Sequence, residues 1–190
     1  MTDSADSFPD AIAGPFERPP RTFVDDTDRR IDIETADPDA TDDRGPLVDM
    51  YQRFDPADRA QGIPPIEADA IERWLDRLTC GDCLNLVARD DDQVVGHSMA
   101  VPDEGGTPET IEAYELAIFV EKPYQGAGIG TALTEALLGE AAAAGVQYVW
   151  LTVERWNDPA VAVYRDIGFE VVESSSFELE MAIRLTDGEA

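Results

Sequence analysis

Six consecutive residues, Gln125-Gly126-Ala127-Gly128-Ile129-Gly130, lie between a strand-like and a helix-like segment and have the composition of an anion-binding loop. Glycines there let the backbone approach a ligand closely. The free N–H groups of the helix's first turn point at that ligand with the positive end of the dipole. Such a site needs no basic side chain. A Walker A loop must end in G-K-[ST], and the absence of lysine here excludes it. A dinucleotide-binding G-x-G-x-x-G/A pattern would use Gly126 and Gly128 but meets Thr131 at its third position. Glu154 does end the next strand, so that alternative stays open, although a dinucleotide fold would place the loop on its first strand rather than after three.

Two other motifs invite chemistry and support less of it. Cys80 and Cys83 form one C-x-x-C, but a structural zinc site needs four ligands and His97 is the only histidine. No metal site is expected, and the cysteines read as incidental thiols in a reducing compartment. His97 follows Val94-Val95-Gly96 on a strand and is either a packed or surface imidazole or part of an acceptor site.

The elements that must position the loop come from 190 residues that are 43% hydrophobic, with 41 Asp plus Glu against 14 Lys plus Arg and a net charge of −27. One domain with a real core is expected. The acid excess excludes a phosphate-backbone or anionic-lipid partner: no nucleic acid, no membrane. The first 44 residues hold 13 acids and 5 arginines, leaving 28 acids and 9 bases for the rest, so the excess is not confined to a tail. Lys122 is the only lysine. A surface so depleted of lysine looks like that of halophilic proteins, where concentrated salt screens self-repulsion. No apolar run is long enough to span a membrane and the N-terminus is acidic, so a cytoplasmic protein is expected.

Residues 1–27 carry no apolar periodicity and read as a flexible acidic segment that adds nothing to the core; residues 28–186 read as a single domain. Arg29 to Glu34 alternates as a short strand, and the following TADPDATDDRGP is turn chemistry. Leu47, Met50, Tyr51 and Phe54, then Ile66, Ala70, Ile71, Trp74, Leu75 and Leu78, mark two amphipathic helices. CLNLVARD and VVGHSMAV form a hairpin. Tyr114 to Val120 is a strand, and Ile129 to Ala144 a helix closed by Gly145. VQYVWLTV is apolar enough for a strand buried on both faces. A short helix opens at Asp158-Pro159 with Val163 and Tyr164 on its apolar stripe, and FEVVE with SFELEMAIRL closes the domain as a hairpin. The order is that of a mixed α/β domain.

The stretch ELAIFVEKPYQGAGIGTALTEALL, followed after one strand by ERWNDPAVAVYRDIGFE, resembles the two strongest motifs of the GNAT superfamily of N-acetyltransferases, with its Q/R-x-x-G-x-G/A loop. The likeness runs from about Arg29 to Leu185. It implies a mixed, mostly antiparallel sheet of about seven strands, helices on both faces, and a V-shaped splay. It also implies acetyl-CoA as co-substrate and acetyl transfer to a primary amine, on a small molecule, a protein lysine or an N-terminus, by a monomer or homodimer. A non-catalytic acyl-CoA-binding module is the alternative of another class.

Carried over by position, Ile118, Phe119 and Val120 match the splayed strand whose backbone pairs with the pantetheine arm and can face the oxyanion. Gln125, Gly126, Ala127, Gly128, Ile129, Gly130 and Thr131 match the pyrophosphate loop, with Thr131 able to add a hydroxyl. Asn157 matches a position that bonds the cofactor arm, or caps its helix. Tyr164 matches the acid that protonates the departing thiolate, or is core. Glu115 lies where Pat-type protein-lysine acetyltransferases carry a catalytic Glu, or is an outward-facing strand acid. Members that acetylate peptide N-termini can carry a Glu at the position of Thr152, a departure here. Lys122, three residues before the loop, could ease the cofactor's phosphates onto an acidic protein.

Overall fold

The computed structural model describes residues 8–54, 65, 67–78, 81–103 and 113–186. In chain order the elements are β1 (Arg21–Val24), β2 (Arg30–Thr35), α1 (Thr41–Arg53), α2 (Ala68–Leu75), β3 (Leu84–Asp90), β4 (Gln93–Pro102), β5 (Ala113–Val120), α3 (Ile129–Ala143), β6 (Tyr148–Glu154), α4 (Asp158–Ile167), β7 (Glu170–Ser174) and β8 (Glu178–Arg184). The strands form one sheet in the order β1-β2-β3-β4-β5-β6-β8-β7. Every neighbouring pair is antiparallel except β5 with β6. A doubly wound dinucleotide fold needs a run of parallel strands, so that alternative falls. The mixed, mostly antiparallel sheet is the expected one, with eight strands in place of seven.

The extra strand comes from the N-terminal segment, which corrects its reading as a flexible lead-in. β1 pairs with β2 from Arg21↔Ile33 to Val24↔Arg30. Before it, Pro9 is buried, and Ala13 and Phe16 pack against the main core. The Ala13 N–H donates to the Arg184 carbonyl at 2.8 Å, and Arg184 Nη1 donates to the Asp10 carbonyl at 2.9 Å. Arg18 grips Glu140 with two hydrogen bonds of 2.9 and 3.1 Å. The segment shows no apolar period because backbone hydrogen bonds and ion pairs hold it, as a strap across α3. Residues 1–7 lie outside the described residues.

The strap crosses α3 closely at Gly139, where an added Cβ would lie 2.9 Å from the Phe16 carbonyl oxygen and 3.0 Å from the Glu17 carbonyl group. Alanine would gain about 1 kcal/mol of helix propensity over glycine. It would also push backbone aside, an overpacking cost of about 1–3 kcal/mol. Gly139→Ala is therefore expected to be net destabilising, read as a lower midpoint in urea with an unchanged slope.

Two apolar clusters lie on opposite faces of the sheet. One packs α3 and α4 on the sheet through Leu133, Leu137, Val149, Leu151, Val161 and Met181; the other packs α1 and α2 through Leu47, Tyr51, Ile71, Leu75, Met99 and Phe119. The first helix begins at Thr41, inside the segment the sequence reads as turn. Pro46 is its sixth residue and forfeits one helical hydrogen bond. Side chains offset that loss: Arg44 donates to the carbonyls of Pro38 and Glu72, and Arg89 binds Asp43 at 2.8 Å.

The second cluster draws its sheet residues from β3, β4 and β5, which leaves the same face of β6 and β8 open. β6 is accordingly not buried on both faces. Val149, Leu151 and Val153 are buried, whereas Tyr148, Trp150, Thr152 and Glu154 are only partly so. The parallel pairing of β5 and β6 covers only Ala113↔Tyr148, Tyr114↔Val149 and Glu115↔Trp150. Beyond it β5 stays with β4 through Val120↔Gly96, while β6 stays with β8 through Glu154↔Glu178. The strands therefore part after Glu115, and this is the expected V.

Candidate active site

A cleft of about 670 Å³ occupies the opening between the two strands. Its walls are Glu115–Val120 of β5 and Leu151–Glu154 of β6. Gln125, Gly126, Gly130 and Thr134 close one end; Asn157, Ala160, Val163 and Tyr164 come from α4, and Phe54 and Glu178 complete the rim. On its β6 side, β5 offers the backbone groups beyond Glu115 that have lost their sheet partner, as far as the Val120 carbonyl, which a side chain takes; this is an edge to which an extended chain could add.

The glycine loop leads straight into α3. Gly126 and Gly128 have φ of +71° and +86°, and neither has an atom within 4 Å of where a Cβ would lie. Conformation, and not crowding, requires glycine there. The first α3 bond is Ala132 N–H to the Gly128 carbonyl at 3.0 Å. The N–H groups from Gly126 to Thr131 have no acceptor among the described residues. Unpaired donors in a row at a helix N-terminus are an anion cradle.

Of the loop side chains, those of Ala127 and Ile129 are buried, Thr131 does not line the cleft, and Thr134 does. The Thr134 hydroxyl donates to the Gly130 carbonyl at 2.9 Å. Gln125 folds back so that its Nε2 donates to the Val120 carbonyl at 3.0 Å, tying the loop to the end of β5. A second tie comes from Arg53, whose Nε donates to Glu121 at 2.7 Å and whose Nη2 donates to the Val94 carbonyl.

Tyr164 lies on the buried stripe of α4 with its ring edge-on to Phe169, centroids 5.6 Å apart. Its hydroxyl makes no hydrogen bond among the described residues, and burial pushes its pKa up to about 12. Asn157 caps α4, Oδ1 accepting from the Ala160 N–H at 3.3 Å, and it also lines the cleft. Glu115 stands at the vertex where β5 and β6 separate. Desolvation and then the nearby Asp103 raise its pKa.

Ile118 and Val120 border the cleft from the α3 side of the sheet, and Phe119 reaches it from the other side. His97 is elsewhere. It is fully buried, its Nδ1 is 2.6 Å from the Tyr51 hydroxyl and its Nε2 3.2 Å from Asn85 Oδ1. Burial lowers its pKa to about 3, so it is a packed neutral imidazole. Lys122 begins a one-turn 3₁₀ helix, Lys122–Tyr124, and does not line the cleft. Cys83 is disulfide-bonded and not the free thiol expected; Cys80 lies outside the described residues. The sequence reading passes over Thr134, which α3 brings to the cleft one turn after Gly130, and over Glu178, which strand register places opposite Glu154; Glu154 itself enters it only as the acid of a dinucleotide site.

A mixed sheet splayed beside a helix-capped N–H cradle defines the N-acetyltransferase architecture. The family model for the acetyltransferase (GNAT) family matches residues 47–169, and the chain belongs to this family. Among curated relatives, a mycothiol acetyltransferase of Saccharomonospora viridis is 37% identical over 108 residues, 54% of this chain and 33% of that protein. A ribosomal protein bS18 alanine N-acetyltransferase of Escherichia coli is 41% identical over 58 residues, 30% of this chain and 39% of that one. The chain thus spans about a third of the length of the first curated relatives it matches. The GNAT domain of S. lividans PAT shares the fold, with a TM-score of 0.72, 21% identity, and coverage of 87% of this chain and 96% of that one. Among the described residues no helix is long and apolar enough to cross a membrane, and no group of potential metal ligands occurs.

Proposed function

We propose that the protein transfers the acetyl group of acetyl-CoA to a primary amine by direct attack. The single observation that carries this reading is the row of unpaired N–H groups from Gly126 to Thr131 at one end of a splayed β5 edge. The cradle fits a pyrophosphate, and the free β5 edge fits the pantetheine arm that follows it. The amine nitrogen bonds the acetyl carbon, the carbon–sulfur bond breaks, Glu115 takes the amine proton directly or through water, and Tyr164 supplies a proton to the leaving sulfur.

The acceptor is read as cationic. Glu180 lies across from Thr152 on the open face, its pKa raised by burial and by Glu173, Asp103 and Glu115. Neither Glu115 nor Glu180 has an ion pair among the described residues. The exposed rings of Trp156 and Phe177, centroids 6.4 Å apart, add π faces next to Asn157 and Glu178. The names of the relatives span mycothiol and a ribosomal protein, so both small-molecule and protein amines enter the test.

With acetyl-CoA and a panel of polyamines, lysine peptides, peptide N-termini and anionic amines, free thiol is expected to appear fastest with the cationic acceptors, alongside an acetylated product by mass spectrometry. Equal rates with anionic amines would remove the charge argument. Tight CoA binding with no turnover on any amine would favour the non-catalytic acyl-CoA module.

A further inference from the structure

The turn between β1 and β2, upstream of the family match, is built around one carboxylate and one guanidinium. Asp25 is 5% exposed. Its Oδ1 accepts from the Thr27 N–H, the Thr27 hydroxyl and the Arg29 N–H at 2.8, 2.9 and 3.0 Å, and its Oδ2 from Arg29 Nε at 2.7 Å. Those bonds hold the Asp25 carboxyl far below the usual carboxylate range against the desolvation that opposes them. The guanidinium so fixed reaches the segment leading into the cradle. It lies 4.1 Å over the ring of Tyr124, and Nη1 donates to the Pro123 carbonyl at 3.1 Å. Tyr124 is anchored on its far side, its hydroxyl donating to Asp90 at 2.9 Å. The same turn touches the cradle itself, because the Asp26 N–H donates to the Ala127 carbonyl at 3.3 Å.

That last contact bears on the chemistry. In a trans peptide the carbonyl of Ala127 and the N–H of Gly128 point in opposite directions. Holding the carbonyl toward the β1–β2 turn therefore turns the Gly128 N–H away from it. A loop with φ of +71° and +86° at its two glycines has many alternatives, and free glycine loops lose much entropy on ordering. A bracket that fixes both ends of the segment, at Pro123 and at Ala127, removes that cost before the ligand arrives.

We infer that Arg29, with Asp25 as its anchor, is a positioning residue that holds the glycine loop in its anion-binding form, so that the N-terminal strap sets affinity for the pyrophosphate of the co-substrate. This rests on the acetyl-CoA reading. Arg29 acts through Pro123, Tyr124 and the turn, and does not itself line the cleft.

The test compares CoA with pantetheine, which has the same arm and no pyrophosphate, by calorimetric titration. Arg29→Gln is expected to weaken CoA about tenfold, the equivalent of one charge-assisted hydrogen bond, and to leave pantetheine unchanged. Arg29→Lys keeps the charge but cannot fork between Asp25 and Pro123, so it should restore only part of the loss; it also serves as the readout where the Gln variant does not fold. An equal loss for both ligands, or no loss for either, overturns the inference. A wild-type protein that binds CoA no better than pantetheine removes the phosphate cradle, and the acetyl-CoA reading falls first.

Discussion

Tyr164→Phe is expected to lower kcat about a hundredfold, the low end of what a positioned acid contributes, while CoA affinity stays within twofold of the wild type. The ring packs against Phe169 and the α3 face of the sheet, and phenylalanine keeps all of that. What it removes is a hydroxyl that has no partner among the described residues although the side chain is buried. That hydroxyl is not one of the buried polar atoms left unpaired but opens on the cleft, so removing it should change stability by no more than about 0.5 kcal/mol. A slower and no less stable enzyme is the signature of a group kept for chemistry. The pH dependence follows from the same burial. An acid must carry its proton to act, and a pKa near 12 keeps Tyr164 protonated across the working range. The rate should therefore show no alkaline decline from this group below about pH 11. A drop in melting temperature together with weaker CoA binding would make Tyr164 a core residue only.

That prediction rests on a site whose parts were legible to very different degrees. The glycine loop, Tyr164 and Asn157 declare themselves locally: positive-φ glycines before a helix, an aromatic on a stripe, an Asx residue before Asp-Pro. The helices and most strands follow from period, and the V follows from the resemblance. The strap does not, since Arg18, Arg21 and Arg29 meet partners 122, 114 and 94 residues away. No local window contains such a pair. The same holds for the acidic face. Glu115, Glu154, Glu178 and Glu180 look like solvated acids one at a time, and only the registers Glu115↔Trp150, Thr152↔Glu180 and Glu154↔Glu178 place them on one surface. His97 shows the converse: a lone histidine invites a catalytic role, and burial between Tyr51 and Asn85 gives it a packing one.

Glu115→Gln should cost on the order of a hundredfold in kcat/KM near neutral pH, the expected contribution of one general base. Glu115 is the last β5 residue paired to β6, so it stands at the vertex of the splay. It is exposed, which lets a protonated amine or a bridging water reach it. Its pKa is raised, first by desolvation and then by Asp103, which makes it a better base than an ordinary surface carboxylate. A base must be ionised to act, so the wild-type rate should fall as pH drops through this raised pKa. In the Gln variant that acid limb disappears, leaving a rate that follows ionisation of the acceptor amine alone. The deficit should therefore shrink as pH rises past the amine's own pKa, where no base is needed. Stability separates the chemical role from a structural one. A raised carboxyl pKa means that the fold disfavours the ionised form, so removing the charge should leave the melting temperature unchanged or slightly higher at pH 7. If the variant keeps the wild-type acid limb, the proton leaves by another route, and Glu115 belongs to the field that attracts the acceptor and not to the reaction itself.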